Sequence, residues 1–157
     1  MRSALIFTLL LFNFSALSAA ERPDFELARV DSAGFVRLAE LPPRLTLINF
    51  WRHDCPPCVR ELPLLLAAAE EGGFRLITVA VQSRAETRAY WSHTPGRLDA
   101  HLALLAPANP VGLLRRFGNR SGALPHSVML DAGGYFCAQR TGEVNQAWLG
   151  QARLQCD

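Results

Sequence analysis

Two cysteines, Cys55 and Cys58, occur as Cys-Pro-Pro-Cys between an apolar run and a helical stretch of the chain. The apolar run at residues 45–51 predicts a buried strand, and residues 59–71 predict a helix directly after the cysteines. A helix N-terminus favours the thiolate of the first cysteine, because its unpaired backbone N–H groups and its macrodipole stabilise negative charge. Two thiols at such a junction can form and break a disulfide reversibly. The pair therefore predicts redox chemistry.

Zinc sites and haem attachment sites also use a Cys-x-x-Cys pair, but the sequence lacks their other parts. It has no second Cys-x-x-Cys pair and no paired histidine run to complete a tetrahedral zinc site. The residue after Cys58 is Val59, whereas haem attachment requires histidine there. We therefore predict no metal and no cofactor at Cys55 and Cys58.

The length and charge of the chain limit its class. A chain of 157 residues predicts one globular domain with a proper core. Its formal net charge of +2 is too small to indicate nucleic acid as a partner. We expect a monomer that does not bind nucleic acid.

The first 20 residues resemble a secretory signal peptide. Residues 1–3 are a short basic start, residues 4–14 are apolar, and residues 18–20 are small, as a cleavage site requires. The alternative is a retained membrane anchor, but the apolar segment is shorter than the roughly 20 residues that cross a bilayer. We predict that residues 1–20 are removed and that residues 21–157 form a domain in the periplasm, where disulfides persist.

Hydrophobic patterning predicts an α/β fold with a central mixed β-sheet flanked by helices and an N-terminal β-hairpin. The predicted strands are residues 25–30, 35–38, 45–51, 74–81, 102–105, 125–130 and 135–140, and the predicted helices are residues 59–71, 85–91, 111–117 and 145–154. Pro63 is expected to kink the helix after Cys58, because a proline inside a helix removes a backbone hydrogen bond.

Four segments of the sequence resemble the TlpA/ResA type of the thioredoxin superfamily. They read RPDFELARVDSAGFVRLAEL, LINFWRHDCPPCVRELP, FRLITVAVQ and GALPHSVMLDAGG, and the resemblance extends over about residues 23–149. The segment around the cysteines is the specific one. The resemblance implies a thioredoxin-like fold and an extracytoplasmic thiol–disulfide oxidoreductase.

The resemblance also implies roles for individual residues. Cys55 matches the attacking cysteine, Cys58 the resolving cysteine, and Pro125 the proline that is cis in this fold and packs beside the disulfide. Glu61 matches an acidic residue that assists proton transfer near the pair. Asn49 occupies the strand position of a buried aspartate in thioredoxin itself. Because asparagine does not titrate, Glu61 is the candidate proton acceptor, three residues after Cys58 on the same helix face. The alternative is that Glu61 is an ordinary acidic residue stabilised by the helix dipole.

The residues before Cys55 depart from the family, which usually has tryptophan there. This chain has Arg52-His53-Asp54. The carboxylate of Asp54 disfavours the Cys55 thiolate, whereas Arg52 and a protonated His53 favour it, so the two effects oppose each other. We expect a more polar docking surface than the family's; the alternative is a simple solvated loop.

The expected reaction is reduction of disulfides in extracytoplasmic partner proteins. The resemblance implies that a membrane thiol transporter supplies the electrons, and that the targets belong to cytochrome c maturation or copper-site assembly. A dithiol oxidase of the DsbA type would use the same cysteines, although residues 81–102 are too short for its helical insertion. A peroxiredoxin would need a threonine and an arginine in a local pattern around Cys55, which the sequence lacks.

The remaining cysteines, Cys137 and Cys156, are expected to form a structural disulfide that pins the last helix to the sheet. Unpaired thiols or a second redox pair are the alternatives.

A copper-binding or copper-delivery protein is the alternative function from another class. His126 follows Pro125, and with Cys55 and Cys58 it could complete a site for Cu(I). His93 and His101 are interpreted as loop residues.

Overall fold

The computed structural model describes residues 22–93 and 101–156. The predicted signal peptide, residues 1–20, lies outside the described residues. The strands are β1 (Glu26–Arg29), β2 (Phe35–Arg37), β3 (Thr46–Trp51), β4 (Arg75–Ala80), β5 (Leu102–Leu105), β6 (His126–Leu130) and β7 (Phe136–Thr141). The α-helices are α1 (Pro56–Glu70), α2 (Arg84–Ser92), α3 (Val111–Arg116) and α4 (Gln146–Cys156), and a 3-10 turn spans Leu38–Glu40.

The strands of the described residues form one mixed sheet in the order β2-β1-β5-β4-β3-β6-β7. Strands β3, β4 and β5 are parallel, whereas β1, β6 and β7 pair antiparallel to their neighbours. Strands β1 and β2 form the N-terminal hairpin. The predicted α/β fold with a mixed sheet is therefore confirmed.

Strand β3 lies in the interior of the sheet and is buried along its whole length. Its residues alternate between two apolar clusters, because successive side chains of a strand point to opposite faces. Leu47 and Trp51 pack with the buried faces of α1 and α4. Ile48 and Phe50 pack with the cluster that contains Phe117, on the other face. The continuous apolar run in the sequence reflects this burial on both faces.

Helix α1 begins earlier than the sequence pattern predicts. Pro56 and Pro57 lie in its first turn, where a missing backbone N–H removes no intrahelical hydrogen bond, so both prolines are accommodated. The helix continues through Pro63, where the sequence predicts a kink, and ends at Glu70. Buried leucines on both sides of Pro63 hold the helix against the sheet: Leu62, Leu65 and Leu66.

His101, interpreted from the sequence as a loop residue, directly precedes β5 and is buried. Its Nε2 atom lies 2.9 Å from the Thr78 hydroxyl oxygen, and its ring lies 5.0 Å from that of Trp91. His101 is therefore part of the packing between β4 and α2.

No helix among residues 22–93 and 101–156 has the length and apolar character to cross a bilayer.

Candidate active site

Cys55 and Cys58 are joined by a disulfide at the start of α1, with their Cα atoms 5.2 Å apart. Cys55 is the N-cap of the helix, and its Sγ atom accepts a hydrogen bond of 3.3 Å from the backbone N–H of Cys58. This N–H and the helix dipole favour the thiolate of Cys55 when the pair is reduced. The local sequence produces this arrangement, because the strand ends at Trp51 and the two prolines start the helix immediately after Cys55.

The two sulfur atoms differ in their access to solvent. Cys58 is 0% exposed and packs in the core between α1 and the sheet. Cys55 is only half-buried. A partner protein can therefore reach Cys55, whereas Cys58 can react only with its neighbour.

Glu61 is a buried carboxyl group on the same face of α1 as Cys58. It is 1% exposed; its Oε1 accepts a hydrogen bond of 2.7 Å from Nδ2 of Asn49, and its Oε2 accepts one of 2.6 Å from the backbone N–H of Val144. Burial raises the pKa of Glu61 to about 7, although both hydrogen bonds favour the charged form. A carboxyl group with this pKa can take up or release a proton near neutral pH. An acidic residue that only stabilises a helix dipole would need no such burial.

Asn49 lies at the centre of β3 and is fully buried. Its Nδ2 donates a second hydrogen bond of 3.0 Å to the hydroxyl of Ser127 on β6. Its Oδ1 has no hydrogen-bond partner among residues 22–93 and 101–156. The NH2 group of Asn49 therefore holds the Glu61 carboxyl in place. Because an amide does not titrate, this contact adds no second titratable group.

Sequence reasoning missed Ser127 and Val144. Ser127 could have been found from strand alternation, because it lies two residues after Pro125 on a strand that pairs with β3. Val144 contributes only its backbone N–H, and no residue type encodes that contact.

Pro125 lies beside the end of β3. The Leu124–Pro125 peptide bond is cis. Strand β6 begins at His126, which pairs with Phe50. Pro125 therefore lies next to the C-terminal end of β3, from which the chain continues into α1. Its carbonyl oxygen accepts a hydrogen bond of 2.8 Å from the N–H of Gly142.

The charges before Cys55 pair with each other. The guanidinium of Arg52 donates two hydrogen bonds of 2.8 Å to the two carboxylate oxygens of Asp54. These bonds lower the pKa of Asp54, so this carboxyl is ionised near neutral pH. Both side chains are exposed. The two opposite charges therefore neutralise each other as an ion pair, and the surface directly before Cys55 is polar.

The structure does not bring His126 to the cysteines, so the copper site of the alternative function, with Cys55, Cys58 and His126, lacks its third ligand. Ser127 accepts a hydrogen bond from the Asn49 amide on one face of the sheet, and its neighbour His126 therefore faces the opposite side, towards Phe50.

Both ring nitrogens of His126 are already engaged on that side. Nδ1 lies 2.9 Å from the Thr141 hydroxyl and Nε2 lies 2.8 Å from the Phe117 carbonyl oxygen. Burial lowers the pKa of His126. In the described part of the chain, no three His, Cys, Asp or Glu side chains are grouped closely enough to hold a metal ion.

Cys137 of β7 and Cys156, the last residue of α4, are joined by a second disulfide, with their Cα atoms 5.3 Å apart. This bond connects the last helix to the outer strand of the sheet.

Comparison with protein-family models finds no match, and comparison with curated proteins finds none. Solved structures do match. An exposed lipoprotein thioredoxin of Streptococcus pneumoniae has a TM-score of 0.68 and 23% identity, over 83% of this chain and 98% of that one. A thio-disulfide isomerase of Thermus thermophilus has a TM-score of 0.67 and 25% identity, over 85% and 92% of the two chains. A thioredoxin family thiol:disulfide interchange protein of Chlorobium tepidum has a TM-score of 0.66 and 21% identity, over 88% and 99%.

The fold is that of the thioredoxin superfamily, as the sequence predicts. The Thermus thermophilus neighbour, at 25% identity, is a thio-disulfide isomerase, in agreement with the thiol–disulfide oxidoreductase predicted from Cys55 and Cys58.

Proposed function

We propose that the protein is an extracytoplasmic thiol–disulfide oxidoreductase that reduces disulfides in partner proteins. One observation carries this proposal. The half-buried Cys55 is bonded to the fully buried Cys58, one helical turn before a buried carboxyl group with a pKa near neutral pH. This arrangement provides a reachable nucleophile, a protected second thiol and a proton acceptor.

The first step is attack of the Cys55 thiolate on a disulfide of the partner. A bond forms between Cys55 and one partner sulfur, and the partner's other sulfur leaves as a thiolate that takes up a proton from solvent. The N–H of Cys58 and the α1 dipole stabilise the attacking thiolate before this step.

In the second step Cys58 attacks the Cys55 sulfur. Its thiol proton passes to the Glu61 carboxylate, the Cys55–Cys58 disulfide forms as the bond between Cys55 and the partner breaks, and the partner sulfur leaves as a thiolate that takes up a proton from solvent. Two electrons have then moved from the dithiol to the partner. Asn49 holds Glu61 towards the interior of the site throughout.

The proposed location and partners rest on the sequence and on the neighbours. Residues 1–20 are proposed to be a signal peptide that directs the domain to the periplasm. One neighbour is described as an exposed lipoprotein and another as a thiol:disulfide interchange protein. A reducing pair in an oxidising compartment needs electrons, which we assign to a membrane thiol donor. The proposed targets are disulfides of cytochrome c or copper-site assembly, and the protein is proposed to act as a monomer.

The reduction potential of the Cys55–Cys58 pair tests the direction of the reaction. The purified protein is equilibrated with glutathione buffers, and the fraction of oxidised pair is measured. A value near that of thioredoxin, about −270 mV, supports a reductase, whereas a value near about −120 mV makes the protein a dithiol oxidase of the DsbA type. Reduction of insulin by the wild type, with the variant C55S/C58S as control, tests whether the pair acts on protein disulfides at all.

A further inference from the structure

The β7–α4 loop, residues 142–145, contacts two parts of the candidate active site through its backbone. The N–H of Val144 donates a hydrogen bond of 2.6 Å to Oε2 of Glu61. The N–H of Gly142 donates one of 2.8 Å to the carbonyl oxygen of Pro125. The loop therefore connects the buried carboxyl group to the segment that contains the cis peptide bond.

The same loop also makes an ion pair and hydrogen bonds outside the candidate active site. The Glu143 carboxylate pairs with the guanidinium of Arg60 on α1 at 2.6 Å and 3.3 Å. The Glu143 carbonyl oxygen accepts a hydrogen bond of 2.8 Å from Nε of Arg140. The Asn145 side chain caps α4 by accepting a hydrogen bond of 2.9 Å from the N–H of Trp148. Glu143 and Asn145 thus hold the loop at two separate points.

The second disulfide closes this part of the chain into a ring. Cys137 lies near the start of β7 and Cys156 at the end of α4, so β7, the loop and α4 form one covalently closed unit with Val144 at the end opposite the disulfide. Helix α4 lies against the sheet by one apolar face, which includes Leu149 and Ala152. A helix held only by such a face can separate from the sheet locally, and this separation would carry Val144 away from Glu61.

We propose that Val144 is a positioning residue of the redox site and that the Cys137–Cys156 disulfide keeps it in place. This inference rests on the proposed function, which assigns proton transfer to Glu61. Asn49 fixes one carboxyl oxygen of Glu61 from the sheet, and Val144 fixes the other from the loop. The Cys137–Cys156 disulfide therefore influences the Cys55–Cys58 pair through the carboxyl group of Glu61.

The charges around Glu61 determine the sign of the expected effect. The hydrogen bonds from Val144 and Asn49 lower its pKa, the Glu143 carboxylate raises it, and Arg140 lowers it; burial outweighs them. Cys58 is the further titratable group on the same face of α1 once the pair is reduced. Loss of the Val144 N–H therefore raises the pKa of Glu61 and leaves the carboxyl group protonated at neutral pH.

The variant C137S/C156S tests the proposal, because it removes the bond without changing any charge near Glu61. Amide hydrogen exchange of Val144 is expected to become faster. The pKa of Glu61, followed by carbon NMR of its carboxyl group and identified with E61Q, is expected to rise by about one pH unit. A folded variant with the same Val144 exchange and the same Glu61 titration as the wild type would overturn the proposal.

A surface variant, E143Q, tests the loop anchor independently if the double variant does not fold. Breaking the exposed Arg60–Glu143 pair should leave the fold intact and increase the exchange of the Val144 amide. The matched control is D31N, which breaks the Arg29–Asp31 ion pair at the end of β1, away from the β7–α4 loop in the sequence. Equal Val144 exchange in E143Q and D31N would overturn the positioning role of the loop.

Neither readout depends on reduction of a partner. If the coupling is present but insulin is not reduced, the proposed function is wrong and the positioning of Glu61 stands. If insulin is reduced but Val144 exchange and Glu61 titration do not respond, only the positioning proposal is wrong.

Discussion

Asn49 and Glu61 are joined by a buried hydrogen bond of 2.7 Å between a strand and a helix, from Nδ2 of the amide to Oε1 of the carboxyl group. The titratable group of the site therefore lies on α1 and its neutral partner on β3. Two carboxyl groups at this distance could not both ionise, whereas an amide and a carboxyl group leave one titrating proton. That proton is held at a position one helical turn from Cys58.

Replacement of Glu61 by glutamine is expected to remove a pH dependence of stability. The pKa of Glu61 is about 7 in the folded protein, raised from an ordinary value of 4.5. Between these values the unfolded chain releases the proton and the folded protein keeps it, so the free energy of unfolding falls as the pH rises. Below pH 4.5 both states carry the proton and this cost is absent. Across the window the cost is on the order of 3 kcal/mol.

Urea unfolding of the wild type and of E61Q, from about pH 4 to about pH 8, checks this prediction. The difference between the two free energies isolates Glu61, because His126 and the surface carboxyl groups titrate in both proteins. A difference that is constant over this range would contradict the raised pKa.

Replacement of Asn49 by aspartate is expected to destabilise the protein more at pH 8 than at pH 5. The new carboxyl group would lie beside Glu61, and the pair would hold one proton with one pKa raised further. A shift of one pH unit corresponds to about 1.4 kcal/mol. Denaturant unfolding of N49D at both pH values measures this effect.

The control for N49D is S127A. It removes the other hydrogen-bond acceptor of the Asn49 amide and adds no charge. Its loss of stability should therefore be the same at both pH values. An equally pH-independent loss in N49D would show that the two carboxyl groups do not interact.

The sequence alone predicts those parts of the site that depend on the type and spacing of residues. Cys55 and Cys58 are identified by spacing and by the strand and helix around them, and the predicted mixed sheet follows from the apolar runs. The network around Glu61 was only partly predictable. Asn49 and Glu61 could be named separately, but their contact depends on how α1 lies on β3.

The position of His126 shows why the rest could not be predicted. Its place directly after Pro125 predicts that it lies near the cysteines in the fold, but the face of the sheet on which it lies depends on strand register. Ser127, and not His126, lies on the face of the sheet that carries the Asn49 side chain. The hydrogen bond from Val144 to Glu61 is harder still to predict, because it uses only a backbone N–H, which almost any residue type could supply.

Removal of the second disulfide is expected to lower the free energy of unfolding by about 3 kcal/mol in the chain-entropy model. The bond joins residues 19 positions apart, and its loss enlarges the unfolded ensemble. Guanidinium unfolding of C137S/C156S against the wild type, with the Cys55–Cys58 pair oxidised in both, measures the change. The control is C55S/C58S, whose disulfide spans a sequence separation of 3 and should contribute less. A larger loss in the control would contradict this explanation.

Serine at Cys58 is expected to trap partner proteins, because it removes the thiol that resolves the mixed disulfide. In C58S the half-buried Cys55 still attacks a partner disulfide, and the complex persists because no second thiol can displace the partner. Non-reducing gels of C58S incubated with a disulfide-containing protein such as oxidised insulin should show a complex that dithiothreitol releases. C55S is the matched control: its remaining thiol, Cys58, is buried in the core, so it should form little or no complex. A complex that accumulates in C55S and not in C58S would reverse the assignment of the attacking cysteine, and with it the role of the helix N-terminus in activating Cys55.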